Sequence, residues 1–413
     1  MRVTPIVAVL IVPTVAQANA QESFFERNRY TAVTERSQPE FDPVSVRVGA
    51  FDVQPELGLE AGYRSNLFAT NTNEVDDTFI QVDPVVAARS NWSRHELSAR
   101  IAASSVNYSD TGSEDYTNFG ADAAGRLDLG TATNLTGTIG YENNNEPRSA
   151  AATVPNASKP VEYTKFGGSA GIEHDMGRIQ LRGRISSNDY NYDDVSLIGG
   201  GTQDQDYRDH TENELYARAS WAVERDWAVF AEGSVVDRSY DQQVVGQPNR
   251  DTEGLIGRVG VNFELPQLIR GDIAVGYQSF DYDDPTISDV DGLSVNATAQ
   301  WFVTQLTTVT GAAERRVVDY GIINSPGTVF TGVSVGVDHE LKRNIVIGGR
   351  LGVENYDFQN VNRSDDRISV GGNATYKLNR NVWLNSRAEY IDQDSNVQPF
   401  KDTRVLIGLT LFP

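Results

Sequence analysis

Apolar and polar residues alternate on both sides of a short turn in the stretch FGADAAGRLDLGTATNLTGTIGYE, residues 119–142. One set of alternate positions carries Phe119, Leu127 and Ile139, and the other carries polar residues such as Arg126 and Thr138. A period of two residues is that of a β-strand, whose side chains point to opposite faces in turn. The stretch therefore predicts a hairpin, but it leaves open whether the apolar face meets a protein core or lipid.

The same alternation recurs along the chain. Clear examples are the segments 57–63, 97–103, 179–185, 215–221, 255–263, 273–277, 293–301, 345–353 and 368–376. We count about eighteen such segments, and about sixteen would also fit, each near the ~10 residues that a tilted membrane strand needs.

The connections between these segments alternate between long and short without a clear exception. Residues 143–162 and 191–213 are long connections, whereas LGTAT, HDMGR and LNRN are short ones. A soluble sandwich has no reason to sort its loops in this way, but a membrane barrel has tight periplasmic turns and long external loops. The sequence therefore predicts an all-β fold, a transmembrane antiparallel up-and-down β-barrel.

Aromatic residues gather near both ends of the predicted strands. Those near the long loops are Tyr108, Tyr190, Tyr192, Tyr240, Phe280, Tyr282, Tyr356, Phe358 and Tyr390, and those near the short turns are Trp92, Trp227 and Trp383. Such clustering is typical of the two interfacial girdles of a membrane barrel. The alternative is the ordinary preference of aromatic residues for strands.

The amino terminus reads as an export signal. Arg2 precedes an apolar run, and Ala18 and Ala20 form a small-residue cleavage site. We expect a signal peptide over residues 1–20, a periplasmic segment or plug over 21–52, and the barrel over 53–413. Beyond the signal, no apolar run is long enough for a membrane helix. The expected location is the outer membrane of a Gram-negative cell.

Charge and composition exclude several function classes. The net charge of −22 becomes −23 once the signal, with Arg2 and no acid, is removed, which disfavours nucleic acid as a partner. The chain contains 0 Cys, so neither disulfides nor thiol chemistry is available. We expect no cofactor and no bound metal.

Two stretches near the start carry a family resemblance. The features are Pro39-Glu40-Phe41-Asp42-Pro43, Arg47 with Gly49 and Phe51, Tyr63-Arg64-Ser65-Asn66, and Ser90-Asn91-Trp92-Ser93-Arg94-His95. They resemble the β-barrel porins of the second kind in proteobacterial outer membranes, and cover the first two strands. The resemblance implies a porin fold and a link with export of surface or capsular polysaccharide.

The polar positions of the alternation carry charges of both signs. We expect the following residues to line the pore: Arg126, Arg182, Arg184, Arg218, Arg258, Arg350, Arg387, Glu142, Glu214, Glu232, Glu354 and Glu389. Charged strips in a lumen set ion selectivity and orient hydrated solutes. The simpler interpretation is that these charges pair across neighbouring strands and stabilise an aqueous wall.

An enzymatic function has little support. The external loops are rich in Asp, but no loop has the spacing of a calcium-binding EF-hand. Among the 4 His residues only His210, beside Asp209, falls in an external loop, and an Asp-His couple could activate water. A chance neighbour in an acidic loop is the better explanation, so we expect no catalytic residues.

These observations favour a passive outer-membrane pore or conduit, which the resemblance associates with polysaccharide export. The alternative is a plugged structural barrel whose acidic loops contact surface molecules. The expected partners are outer-membrane lipid and lipopolysaccharide, small hydrophilic solutes or polysaccharide, and an export machinery.

Overall fold

Eighteen antiparallel strands form a closed barrel in the computed structural model, which describes residues 31–242, 248–265, 268–322 and 324–413. The predicted fold is thereby confirmed, with eighteen strands rather than sixteen. The expected signal peptide and residues 21–30 lie outside the described residues. Among the described residues, no helix is long and apolar enough to cross a membrane.

The barrel strands are named in chain order. They are β1 (Phe51–Arg64), β2 (Asp77–Ser90), β3 (Glu96–Tyr108), β4 (Tyr116–Leu129), β5 (Thr133–Asn145), β6 (Glu162–Met176), β7 (Ile179–Tyr192), β8 (His210–Glu224) and β9 (Trp227–Tyr240). The second half comprises β10 (Thr252–Leu265), β11 (Ile269–Tyr282), β12 (Val290–Thr304), β13 (Thr307–Val318), β14 (Thr328–Lys342), β15 (Ile345–Phe358), β16 (Arg363–Lys377), β17 (Val382–Ser395) and β18 (Phe400–Leu411).

Each strand pairs with the next one in sequence, and β18 returns to pair with β1 from Leu57↔Leu411 to Arg64↔Arg404. Below this contact, a short strand Val46–Val48 pairs with the first residues of β1. β1 begins at Phe51, so the expected barrel start at residue 53 lies two residues inside it. Three single-turn 3-10 helices, Val33–Glu35, Gly112–Glu114 and Asp206–Arg208, lie outside the barrel strands.

The alternation of the sequence fixes which side of each strand faces outward. On β5, Ile139 points outward and is 54% exposed in the protein alone, whereas Thr138 and Gly140 lie on the inner face beside the charges of β4. The same alternation of outward apolar and inward polar positions holds along the other strands, so the barrel has an apolar outer surface and a polar interior. The backbone of each strand pairs with its neighbours along most of the wall, as a barrel that crosses hydrocarbon requires.

Short turns join the strands at the end where the chain enters the barrel. The connection between β6 and β7 has only the residues Gly177 and Arg178, and Gly177 adopts a φ of +72° that a side chain would disfavour. At the other end the connections over 146–161 and 193–209 are long. The expected regular alternation fails in the last third, because the external connections 359–362 and 396–399 have four residues each.

The prediction of an aromatic girdle at the external end of the barrel is mostly wrong. Of the nine aromatic residues assigned to it, only Tyr390 lies at an outward-facing position of its strand, and the others point into the barrel. Phe280 and Phe358, for example, are 4% and 2% exposed. At the opposite end Trp227 is exposed as expected, but Trp383 points inward and is 3% exposed. The inward rings belong to the lumen and to the loops that fold over it.

Candidate functional site: the lumen and its external mouth

All twelve charged residues that the sequence assigns to the pore lie on the inner face of the wall. Their register positions alternate with the outward apolar residues of the same strands. These residues are Arg126, Arg182, Arg184, Arg218, Arg258, Arg350, Arg387, Glu142, Glu214, Glu232, Glu354 and Glu389. The interior is therefore a charged surface of mixed sign.

Many of these charges pair along the wall. Arg184 lies 3.1 Å from Glu214 on β8, and Arg387 lies 3.6 Å from Glu60 on β1. Further pairs join Arg126 to Asp128, Arg182 to Glu173, and Arg258 to Glu232. Partly exposed pairs of this kind contribute only ~0–1 kcal/mol each. The simpler interpretation, a wall of paired charges, thus describes much of the interior.

Arg218 makes the most connected of these contacts. Its guanidinium lies 2.6 Å from Asp272, 3.5 Å from Glu232 and 3.5 Å from the centre of the Phe230 ring. Sequence reasoning missed Asp272, although it alternates with the outward Ile273 on β11 and so belongs to the inner face. This network joins four neighbouring strands, β8 to β11, on the inner wall.

A cavity of about 430 Å³ lies against the inner wall of β4–β7. Asp122 and Glu142 line one side, and Lys165 and Arg184 line the other. Glu142 and Lys165 are direct neighbours in the register of β5 and β6. Within the described residues they form no ion pair, and the Lys165 ammonium lies 5.4 Å from the Tyr190 ring instead. The cavity therefore has an acidic side and a basic side.

The loop 146–161 crosses the external mouth. Arg148 forms a two-point contact with Glu114, at 2.8 Å from Nε and 2.5 Å from Nη2, and both side chains are buried. Farther along, Arg363 on β16 donates to the carbonyl of Ala151 at 2.8 Å, and Arg367 donates to that of Ser149 at 3.2 Å. A loop that starts at β5 is thus bound to the far wall.

The loop 193–209 packs against the loop 146–161. Val154, Ala157, Val161 and Val195 form a buried apolar cluster between the two loops. The charged contact Arg208–Glu146 joins them a second time. These apolar side chains lie in loops, so the strand pattern of the sequence could not assign them.

The described part of the amino-terminal segment lies along the inner wall at the opposite, periplasmic end. The Val33 N–H donates to Thr308 Oγ1 at 3.1 Å, and Trp383 Nε1 donates to the Phe41 carbonyl at 3.1 Å. Ion pairs add Arg36 to Glu340, Arg270 to Glu35, and Lys377 to Asp42. The segment therefore covers the inner wall from β11 to β17 at this end.

The possible catalytic couple does not form. The His210 ring stacks on Tyr190 at 4.7 Å between centroids, and its Nδ1 lies 2.7 Å from the Arg208 carbonyl oxygen. The Asp209 carboxylate instead accepts hydrogen bonds from the Tyr192 N–H and the Asn191 side chain. No step of general-base chemistry follows from this arrangement.

Three acidic residues, Asp194, Asp204 and Asp206, come together in the loop 193–209. Asp194 accepts a hydrogen bond from the Gln205 N–H at 2.9 Å, and Asp204 accepts one from the Asp206 N–H at 2.9 Å. These contacts explain the cluster as part of the loop's own folding.

A family model decides the classification. Residues 38–412 match the family described as "Putative beta-barrel porin 2". The chain belongs to this family. The resemblance seen in the first two strands is thereby confirmed, and the protein is a porin-like β-barrel of the outer membrane. The family and its fold are those of non-enzymatic channels. No curated protein matches the sequence.

Several solved porins have a similar course of strands. OpdK of Pseudomonas aeruginosa is 13% identical, with a TM-score of 0.46, over 88% of this chain and 99% of its own. OccK2 (OpdF) of the same organism, solved in complex with glucuronate, is 10% identical with a TM-score of 0.46, over 87% and 98%. A BenF-like porin from Pseudomonas fluorescens Pf-5 is 10% identical with a TM-score of 0.47, over 88% and 99%.

Proposed function

We propose that this porin is a passive channel for small hydrophilic solutes, narrowed at the external mouth by its own loops. The twelve inward charges named above line the pathway in this proposal. Charged groups facing an aqueous lumen replace part of the hydration of a polar solute and sort solutes by sign. The paired charges stabilise the wall, and the unpaired ones contact the solute.

The cavity between β4 and β7 carries the proposal. Its volume of about 430 Å³ lies within the range of small-ligand pockets, roughly 300–1,000 Å³. Asp122 and Glu142 on β4 and β5, and Lys165 and Arg184 on β6 and β7, line it side by side. Because Lys165 makes no ion pair within the described residues, its charge is free to attract a passing anion.

Single-channel recording in a planar bilayer tests the channel. The full-length protein should give steady conductance steps, and a salt gradient reports the sign of the preferred ion. Lys165→Glu should shift the reversal potential toward cation preference, because the cavity then loses a base and gains an acid. The matched control is Thr164→Glu on the outer face of the same strand, which should leave the reversal potential unchanged. Identical potentials for wild type and Lys165→Glu would contradict the assigned pathway.

A second function, a plugged barrel that contacts surface molecules through acidic loops, is favoured by one observation. The loop 146–161 reaches the far wall through Arg363 and Arg367. If the folded full-length barrel conducts no current, and a variant lacking residues 31–45 is also silent, this second function replaces the first. Current only after removal of residues 31–45 would instead identify the amino-terminal segment as a plug.

Polysaccharide export is an implication of the family resemblance alone. The contacts described above add no support for it, nor for a dedicated export machinery. A test would compare surface polysaccharide in cells with and without the protein, and unchanged amounts would remove this association.

A further inference from the structure

A buried carboxylate lies between arginines at the external end of β9 and β10. Asp319, the first residue after β13, places both carboxylate oxygens 2.7 Å from Arg250 Nη2. The Tyr240 hydroxyl donates to the same carboxylate, and Arg238 Nη1 lies 3.8 Å away. The side chains of Arg238, Arg250 and Asp319 are 9%, 8% and 3% exposed. Three side chains, Arg238 and Tyr240 on β9 and Arg250 just before β10, thus enclose one carboxylate from another loop.

The arginines offer more donors than Asp319 uses. Arg250 Nε and Nη1 and Arg238 Nε are buried and have no hydrogen-bond partner within the described part of the chain. A guanidinium carries five N–H donors in a planar fork that matches an oxyanion at two points. Asp319 meets Arg250 through a single nitrogen, so the fork of Arg250 is incompletely used. A buried donor without a partner costs ~1–3 kcal/mol, which a better-placed oxyanion would recover.

The charge balance of the cluster depends on Asp319. Arg238 also contacts Glu212 at 2.5 Å, so the wall supplies one carboxylate, which meets Arg238 but not Arg250. Asp319 supplies the second negative charge. Without it, the cluster would contain a buried guanidinium with no counter-charge, an arrangement that costs several kcal/mol. Any species that displaces Asp319 must therefore be an anion of similar shape.

The position of Asp319 permits such an exchange. Its backbone directly follows Val318 at the end of β13, and the loop is held separately by Tyr282, whose hydroxyl donates to the Pro326 carbonyl at 2.8 Å. Tyr320 packs in a different apolar cluster with Tyr356. The Asp319 carboxylate also accepts a hydrogen bond from the Gly321 N–H at 2.7 Å. Rotation of the Asp319 side chain gives up this contact together with those to the arginines, while the Tyr282–Pro326 contact keeps the loop attached to β11.

We propose that Arg238, Arg250 and Tyr240 form a binding site for small carboxylate solutes, which Asp319 occupies when no solute is present. The inference extends the proposed channel function by naming its solute class. An incoming carboxylate replaces the contacts that Asp319 makes and adds a two-point contact to the free edge of Arg250. The site lies at the external end, where a solute enters.

Acetate binding to the detergent-solubilised full-length protein tests the site independently of conduction. Isothermal titration with sodium acetate, against sodium chloride of equal ionic strength, compares wild type with Asp319→Ala. Loss of the internal competitor should tighten acetate binding by about tenfold, equivalent to ~1.4 kcal/mol. Asp319→Asn, which keeps the size of the side chain, should do the same if the alanine variant folds poorly. Arg250→Gln should abolish binding.

Two matched variants separate this site from general charge effects. Arg89→Gln removes an inward arginine at the periplasmic end of β2, and Asp193→Asn removes an exposed loop acid, so both should bind acetate like wild type. The proposal is overturned if Asp319→Ala binds acetate no tighter than wild type, or if Arg250→Gln binds equally well. Failure of the channel proposal would appear instead as absence of conductance with acetate binding intact.

Discussion

Asp209 shows how one loop residue can respond to pH. Its carboxylate accepts hydrogen bonds from the Tyr192 N–H at 2.7 Å and from Asn191 at 2.9 Å. Burial and, to a smaller extent, neighbouring acids including Asp206 raise the pKa of this carboxyl to about 6, although the hydrogen bond from the Tyr192 N–H lowers it. The folded loop therefore binds a proton more readily than the unfolded chain.

We predict that the loop 193–209 is docked more stably at pH 5 than at pH 7. Between the ordinary Asp pKa of about 3.9 and the raised value, the folded state binds more protons, so its stability falls as pH rises through this window. Hydrogen exchange of the loop, corrected for intrinsic rates, should be slower at pH 5. Asp209→Asn should remove the difference, and Asp193→Asn should retain it. A difference that persists in Asp209→Asn would assign the effect to another group.

The pKa of Asp319 is shifted in the opposite direction from that of Asp209. Burial alone would raise its pKa, but the guanidinium groups of Arg250 and Arg238 together hold the pKa of this carboxyl well below its usual range. Its contribution to stability is complete above the ordinary Asp pKa and is lost only when pH falls through the lowered value. The carboxylate therefore remains charged throughout the range in which Asp209 titrates.

The direction of the external aromatics was available from the sequence but was overlooked. Tyr240 has the same parity as Arg238, so the alternation that places the arginine inside also places the ring inside. The position of these aromatic residues near strand ends suggested a girdle. Whether a side chain faces lipid or the lumen is decided instead by the alternation of positions along its strand. For Trp383 the same count relative to Arg387 would have given the inward direction.

The loops of the external mouth form one packed element. Its contacts join residues far apart in sequence, such as Arg148 with Glu114 and Arg367 with Ser149. No periodicity relates such positions, because loops lack the repeat that assigns the strands. Loop lengths could be read from the sequence for most connections, but their path across the mouth could not.

We predict that Glu114→Gln loosens the loop 146–161. The change leaves the buried Arg148 guanidinium without its counter-charge, which typically costs ~3–5 kcal/mol. Single-channel records should then gain larger or more frequent open steps than those of wild type. Asp110→Asn, an exposed acid in the same short connection, should leave the records unchanged. Unaltered records for Glu114→Gln would mean that this loop does not narrow the pathway.

The amino-terminal segment depends on specific donors from the barrel. Trp383 donates to the Phe41 carbonyl and packs against Phe412, with 4.9 Å between ring centroids. The sequence left open whether the segment is a plug, because a stretch without strand pattern carries no signal for where it binds.

We predict that Trp383→Phe increases tryptic cleavage after Arg36. The substitution keeps an aromatic ring but removes the hydrogen bond to Phe41, worth ~1 kcal/mol, so the segment leaves the wall about fivefold more often. Trp92→Phe, an exposed tryptophan in the turn 91–95, serves as the control and should be cleaved like wild type. Equal cleavage in all three proteins would show that other contacts hold the segment.

The whole barrel follows from a single property of the sequence, the period of two. That period assigned the class, the number of strands and the inner or outer face of the twelve charged positions, because each depends only on backbone pairing and side-chain parity. Asp272 was missed although the same rule covers it. The interior ion pairs and the cavity depend on side-chain conformation across strands, which the period does not determine.

We predict opposite outcomes for arginine at two adjacent positions of β5. Ile139→Arg places a charge on the outer face and should lower the free energy of unfolding in lipid vesicles by ~2–4 kcal/mol. Thr138→Arg places it in the lumen and should change that free energy by less than ~0.5 kcal/mol. Denaturant titration measures both. Equal destabilisation by the two variants would contradict the assigned faces of the wall.

The contact that closes the cylinder is shorter than the contact on the other side of β1. β1 and β18 share eight residue pairs, whereas β1 and β2 share fourteen. The wall therefore parts between β1 and β18 before it parts between β1 and β2, and a sideways exit toward lipid would open there. Because the chain has 0 Cys, a cysteine pair introduced across this contact can be oxidised without competing thiols. Such a crosslink would join β1 and β18 covalently and prevent the barrel from opening between them.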